Sequence, residues 1–423
     1  MLTKVERDEI IALIRQEVTP AIGCTEPIAV ALAVARVKEL LTVIPEKLDI
    51  WLSANVLKNA MGVGIPGTGM SGLPIAIAMG ILVGKSEYGL EVLRDSTPER
   101  VEEGKKLVDR GIINIHLKED IVEKLYIEVT ASAGPDTARV IISREHTRFS
   151  LIEKNGIKLL ELENNETTET VTEQLQLSFD KVCDFAFYTP IDEIRFIKKT
   201  VELNKAAAEE SLKGTYGHSV AQTLTNSTMG NSVYNHMLSV TAAACDARMA
   251  GAMIPVMSNS GSGNQGIAAT LPVSVFAEET GKSEEELIRA LILSHLITIY
   301  IKQSLGRLSG LCGAVVAATG SGCGVTYLMG GTREQIGFTV KNMIGNVTGM
   351  ICDGAKPSCT LKVHNGVSTA TLSALLAMDN KVVTAVEGIV DEDVDKTIQN
   401  LTKIGREGMT ETDKMVLDIM TNK

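Results

Sequence analysis

The sequence predicts a mixed α+β fold: a mainly helical body formed by the two ends of the chain, with a smaller α/β module on an antiparallel sheet inserted between them. Three observations predict it. Segments of helical period fill residues 1–90 and 196–423, while short strand-like runs broken by turn residues crowd into residues 91–195. Aromatics make up only 4% of the chain, against 37 glycines and 16 methionines. A core so short of rings is filled by Ala, Val, Ile, Leu and Met, which suits helices that cross closely over small residues. At 423 residues the chain also exceeds one ordinary core, so two or three domains are expected.

The elements follow in order. Lys4 to Val18 has helical periodicity, and Pro27 to Leu41 is an Ala/Val/Leu-rich segment suited to burial. Asp49 to Ala54 alternates weakly and reads as a short strand. In the middle region Asn114 to Leu117, Leu125 to Ala131, Ala138 to Ser143 and Phe149 to Ile152 read as strands. Turn chemistry separates them at Ala133-Gly-Pro-Asp136 and Lys154-Asn-Gly156, and Glu161 to Glu173 reads as a solvated excursion. Helix returns with the amphipathic Ile197 to Leu212. Ser283-Glu-Glu-Glu286 is a capping-box pattern opening a long helix to Leu305, and Ala370 to Met378 is a further small-residue helix. The two helical ends are expected to pack together around a site, with the middle module set aside.

Composition excludes several classes. A net charge of −11 with no basic run argues against nucleic acid, which needs clustered Lys and Arg. Leu311 to Gly331 and Gly251 to Ala277 carry no charge, but their Gly, Ser, Thr and Asn content denies lipid a continuous apolar surface. The charged amphipathic start has no secretory h-region. Seven cysteines in such a chain are expected as reduced thiols in the cytoplasm, where metal binding or catalysis outranks disulfides. The small-residue helices suit a homodimer.

Gly67-Thr-Gly-Met-Ser-Gly72 and Gly261-Ser-Gly-Asn-Gln-Gly266 are both GxGxxG and both lead into apolar runs. Neither follows a buried strand, nor has the acidic residue that a dinucleotide fingerprint requires. Two readings stand: a loop feeding a helix N-terminus that holds an anion such as a carboxylate, or a tight turn between packed helices. Cys312, Cys352 and Cys359 lie in turn-forming contexts with no paired C-x2-4-C knuckle, so a four-cysteine zinc site is disfavoured. Three widely spaced thiolates suit an iron–sulfur cluster with one iron open, while inert burial is the competing reading, adopted for Cys183 and Cys245 and leaned towards for Cys323. Cys24, at a Gly-flanked turn with Thr25 as candidate N-cap and Pro27 beyond, is either a helix-terminal thiol of lowered pKa or an inert one.

Taken together, Gly23-Cys-Thr-Glu-Pro27, the first glycine loop, Ser260 to Gln265, Leu311-Cys-Gly313 and Ile351-Cys-Asp-Gly-Ala-Lys-Pro-Ser-Cys359 resemble the L-cysteine desulfidase family, related to the iron–sulfur L-serine dehydratases. The resemblance spans essentially the whole chain. It implies a [4Fe–4S] cluster on Cys312, Cys352 and Cys359, a catalytic thiol at Cys24, and conversion of L-cysteine to sulfide, ammonia and pyruvate. Composition and periodicity show none of this. The glycine-loop regions would bind the amino acid, and on position alone we assign candidate contacts to Lys58, Asn59, Gly67, Ser260 and Asn264. Lys302 and Arg307 are candidates to neutralise its carboxylate, against the competing reading of a solvated helix face for at least one of them, while His218, His236 and His295 are left without a role. The alternatives are the same chemistry on L-serine, a pyridoxal phosphate lyase using Lys58 and the loop Gly67 to Gly72, a sulfur- or amino-acid-binding protein without turnover, and a membrane carrier.

Overall fold

The computed structural model describes residues 2–119, 123–162, 175–227, 231–306 and 308–422. Arg307 and most of the Glu161 to Glu173 excursion lie outside them. The fold is mixed α+β, as expected. Among the described residues the eight strands are β1 (Pro20–Ile22), β2 (Lys47–Leu52), β3 (Ile113–Leu117), β4 (Tyr126–Ala133), β5 (Asp136–Ser143), β6 (Phe149–Lys154), β7 (Ile157–Glu161) and β8 (Pro255–Met257).

Six of them form one sheet in the order β3-β2-β4-β5-β6-β7. All neighbours are antiparallel except β2 and β3, which run parallel with Leu48 opposite Ile113. The sheet is therefore mixed rather than purely antiparallel. A parallel neighbour needs a long crossover, and helices Ala54–Ala60, Leu73–Leu82 and Pro98–Val108 supply it. The sheet thus draws an inner strand from residues 47–52, and the core beneath it runs from Ile28 to Ile152. The sheet-bearing core begins well before residue 91 because Leu48, Ile50 and Leu52 bury their side chains against the helix Thr25–Leu41 and its neighbours.

A second core joins Ile10 and Ile14 of the first helix, Lys4–Glu17, to apolar residues between Leu177 and Met409. At its centre lies Glu284–Leu305, opened by the expected capping box of Ser283 with Glu286. This helix is buried along most of its length, so its sequence shows apolar residues all round rather than one stripe. It crosses the helix Gly313–Leu328 at Gly320, where a Cβ would stand 2.2 Å from the Ser294 carbonyl oxygen. That crossing leaves no room for a methyl group. Gly320→Ala should lower stability by about 3 kcal/mol, read as a fall in the midpoint of denaturant unfolding. No helix among the described residues is long and apolar enough to cross a membrane.

Candidate active site

The site lies in a third core, where Cys24 and Cys312 are buried with Met249, Val315 and Val363, and a short ribbon fastens its loops. β1 pairs antiparallel with β8, placing Ala21 opposite Val256. Beyond that pairing the Ser260 amide donates to the Glu17 carbonyl at 2.9 Å, and the Thr25 hydroxyl to the Gly261 carbonyl at 3.0 Å. The turn carrying Cys24 is thereby fastened to the second glycine loop. A second clasp joins the cysteine loops: Leu311 bridges Ile351, the Cys312 amide donates to Met350 at 2.9 Å, and the Cys352 amide to Gly310 at 2.8 Å.

These clasps close round a cavity of about 110 Å3 lined by Cys24, Glu26, Asn59, His146, Arg248, Ser260, Asn264, Gln265, Lys302 and the three cysteines Cys312, Cys352 and Cys359. An open cleft of about 710 Å3 lies beside it and shares Ser260 and Lys302. Four helices begin at the cavity wall. Cys24, Ser262 and Cys312 are the N-caps of Thr25–Leu41, Gly263–Glu279 and Gly313–Leu328, and Cys359 is the first residue of Cys359–Met378. Each such end carries roughly half a positive charge, so the cavity is built for anions.

The sequence-assigned residues divide accordingly. Cys24, Asn59, Ser260, Asn264, Cys312, Cys352 and Cys359 meet at the cavity, as does Lys302. Lys58 and Gly67 do not line it. Lys58 is buried in an ion pair with Asp413 at 2.7 Å and donates to the Cys352 carbonyl at 3.2 Å, so it braces the cysteine loop from behind. Its ammonium is engaged there, which leaves the pyridoxal phosphate reading without its lysine. The first glycine loop does feed a helix, Leu73–Leu82, but its Gly67 amide is spent on the Gly251 carbonyl. The second loop is the one that serves the cavity. Cys323 is fully buried inside its helix, away from the cavity. His295 is a core residue between Asn259 and Thr270, and burial pushes it down to about 3.

The structure corrects the expected chemistry of Cys24. The thiol does sit at a helix N-terminus, with Cys24 rather than Thr25 as the cap, but burial and the adjacent Glu26 carboxylate push its pKa up rather than down. Desolvation outweighs the helix end because Cys24 is only 4% exposed and its Sγ lies 3.1 Å from Glu26 Oε2, to which it donates. Burial by itself would raise Glu26 as well. Its neighbours His146 and Cys24, together with the backbone amide, win and hold it at about 2.

Sequence reading missed Glu26, His146, Arg248 and Gln265. Arg248 is 2% exposed; Nη1 donates to Asn264 Oδ1 at 2.9 Å and Nε has no hydrogen-bond partner. Gln265 Oε1 is likewise buried without a hydrogen-bond partner, and His146 Nε2 is buried with none in hydrogen-bond reach, 3.8 Å from Glu26 Oε1. Arg248 had left a signal, a charge within the small-residue run Thr241 to Ala250; His146, in a charged turn, had left none.

The three cysteines suit a cluster by their donor chemistry. Burial first, then the neighbouring Cys352 and Cys359, push the Cys312 thiol up to about 12, and burial, with Cys352 beside it, raises Cys359 as well. Asp353 is already neutralised by Lys356 and Lys362 and held at about 2. Among the described residues no three His, Cys, Asp or Glu side chains are gathered tightly enough for a single metal ion. A multi-iron cluster asks for something different, thiolates distributed over separate irons, and binding it would draw the protons off.

A mixed α+β chain with a thiol-lined cavity at four helix N-termini presents a candidate active site. Comparison with known proteins narrows this. Residues 87–418 match the family described as serine dehydratase alpha chain, a span that holds His146, Arg248 and the three cavity cysteines but begins after Cys24. The chain belongs to that family. It is 66% identical over 426 residues to a UPF0597 protein of Bacteroides fragilis, each chain covered in full. UPF0597 proteins of Porphyromonas gingivalis, 55% identical with 99% of each chain covered, and Oleidesulfovibrio alaskensis, 45% identical with both covered in full, extend the set.

Proposed function

We propose that this chain is a cytoplasmic iron–sulfur lyase that converts L-cysteine to sulfide, ammonia and pyruvate. The observation that supports the reading is the meeting of Cys24, Arg248 and the three cysteines Cys312, Cys352 and Cys359 on one cavity at four helix N-termini. The seven cysteines are all unpaired, as a reducing compartment requires.

A [4Fe–4S] cluster on Cys312, Cys352 and Cys359 would supply a Lewis-acidic iron that makes sulfide an easier leaving group. The chain's own residues do the rest. A buried guanidinium with an unpartnered Nε is costly to keep without an anion, and Arg248 meets that cost by binding the substrate carboxylate. Asn264 holds the guanidinium in place through its Oδ1. Cys24 Sγ takes the Cα proton. The 2-aminoacrylate released then tautomerises and hydrolyses without further help.

The family description favours a second reading, the same elimination on L-serine with hydroxide leaving. The test is an assay of pyruvate and sulfide from each amino acid, on protein purified without oxygen. Sulfide matching pyruvate, with a higher kcat/KM on L-cysteine than on L-serine, supports the proposal. Pyruvate from L-serine alone moves the assignment to the dehydratase, and pyruvate from neither overturns both.

A further inference from the structure

We infer that Glu26 and His146 form a proton relay that takes the proton from Cys24 and delivers it to the departing sulfur, an inference that rests on the elimination proposed above. The thiol that must take a proton from the substrate already holds one, and it donates that proton to Glu26 Oε2 at 3.1 Å. Glu26 is 6% exposed and is fixed further by Asn59 Nδ2, which donates to Oε1 at 3.2 Å, while the Thr25 hydroxyl, its one proton shared with the Gly261 carbonyl, lies 3.0 Å from Oε2. Its carboxylate is thus aimed at the sulfur.

Behind it stands His146, in the turn between β5 and β6. The residue is 6% exposed, lines the same cavity, and keeps Nε2 buried without a hydrogen-bond partner, 3.8 Å from Glu26 Oε1. A movement of roughly an ångström brings the two into hydrogen-bond reach. A buried nitrogen left open in this way is costly as a purely structural feature. Beside a carboxylate that takes up a proton, it is placed to receive it. The sheet module, which sequence reading set aside from the site, thereby contributes to it.

The step balances. The Cys24 S–H bond breaks as its proton moves to Glu26 Oε2, and the electron pair left on sulfur forms a new S–H bond with the Cα proton. The C–H electrons become the Cα=Cβ double bond, and the Cβ–S electrons leave with the substrate sulfur. The proton on Glu26 passes to His146 and on to the departing hydrosulfide, so Cys24 ends protonated and Glu26 ionised, as they began. No oxidant or reductant is needed. Glu26 acts only through Cys24 and is a positioning residue for its proton, whereas His146 also hands that proton to the departing sulfur.

The test compares wild-type holoenzyme with Glu26→Gln and His146→Gln. Three readouts are needed: steady-state kinetics, the isotope effect with Cα-deuterated L-cysteine, and exchange of the Cα proton of L-alanine, which has no leaving group, in deuterium oxide. With iron content unchanged, Glu26→Gln should lower kcat roughly 10²-fold and His146→Gln about tenfold, with KM nearly constant. The isotope effect should rise in both as proton removal becomes limiting, and L-alanine exchange should slow in parallel. Should Glu26→Gln fail to fold, His146→Gln, in a turn, decides alone. Variants that match the wild type in kcat, isotope effect and exchange sink the relay while leaving the elimination intact, as does a lower kcat with an unchanged isotope effect. Wild-type exchange of L-alanine that slows in the variants, without elimination from any substrate, upholds the relay and sinks the elimination. Neither exchange nor elimination by the wild type sinks both.

Discussion

Cys312→Ala is expected to fold, to lose iron, and to lose turnover by about 10³-fold or more, since a Lewis-acid iron contributes several kcal/mol to such a transition state. The fold should survive because Cys312 does its structural work through its backbone. Its amide holds the Met350 carbonyl, and its side chain makes no capping hydrogen bond to the helix it begins. Alanine retains both features. Iron per chain and the visible absorbance should therefore fall while the far-ultraviolet circular dichroism stays unchanged. Full turnover in an iron-depleted Cys312→Ala protein would remove the cluster from the mechanism.

Cys24→Ala is expected to keep its iron and lose kcat by about 10²- to 10⁴-fold, the range for removal of a general base. The contrast in iron content separates the two roles, since both residues line one cavity and both are buried. The same variant should weaken the protein towards acid. Glu26 sits at about 2 in the folded chain against 4.5 for the ordinary carboxyl. Between those values the unfolded chain binds more protons, so Glu26 contributes stability that is full above about pH 4.5 and is lost as pH falls through about 2. Without the Cys24 thiol one of the groups holding Glu26 down is gone, and its pKa rises. Acid unfolding of Cys24→Ala should then begin at a higher pH than in the wild type. An unchanged acid midpoint would show that the thiol does not stabilise the carboxylate.

Local chemistry made much of this legible. Ser283 and Glu286 announce their helix because a capping box is satisfied within one turn, and β4, β5 and β6 announce themselves by alternation and by the turns between them. β2 was visible as a strand, but its place inside the sheet was not. Parallel pairing with β3 is a contact across some sixty residues, for which the strand itself carries no code. The cysteines of the site were legible from their turns and from the family they resemble. The sign of the Cys24 pKa shift was not, since a helix N-terminus can be read from Gly, Thr and Pro while desolvation depends on what folds over it.

By itself the sequence determined the α+β class, the positions of the cavity cysteines and the glycine loop that feeds a helix. Each depends on residue type or short-range periodicity. Tertiary structure decided which glycine loop faces the cavity, that Lys58 braces a loop rather than touching substrate, and that Arg248, Glu26 and His146 join Cys24. The physical reason is the same in each case. Cys24, His146, Arg248 and Cys312 lie far apart along the chain, and only the β1–β8 ribbon, the Leu311–Ile351 bridge and the packing of the third core bring their polar atoms into one buried space.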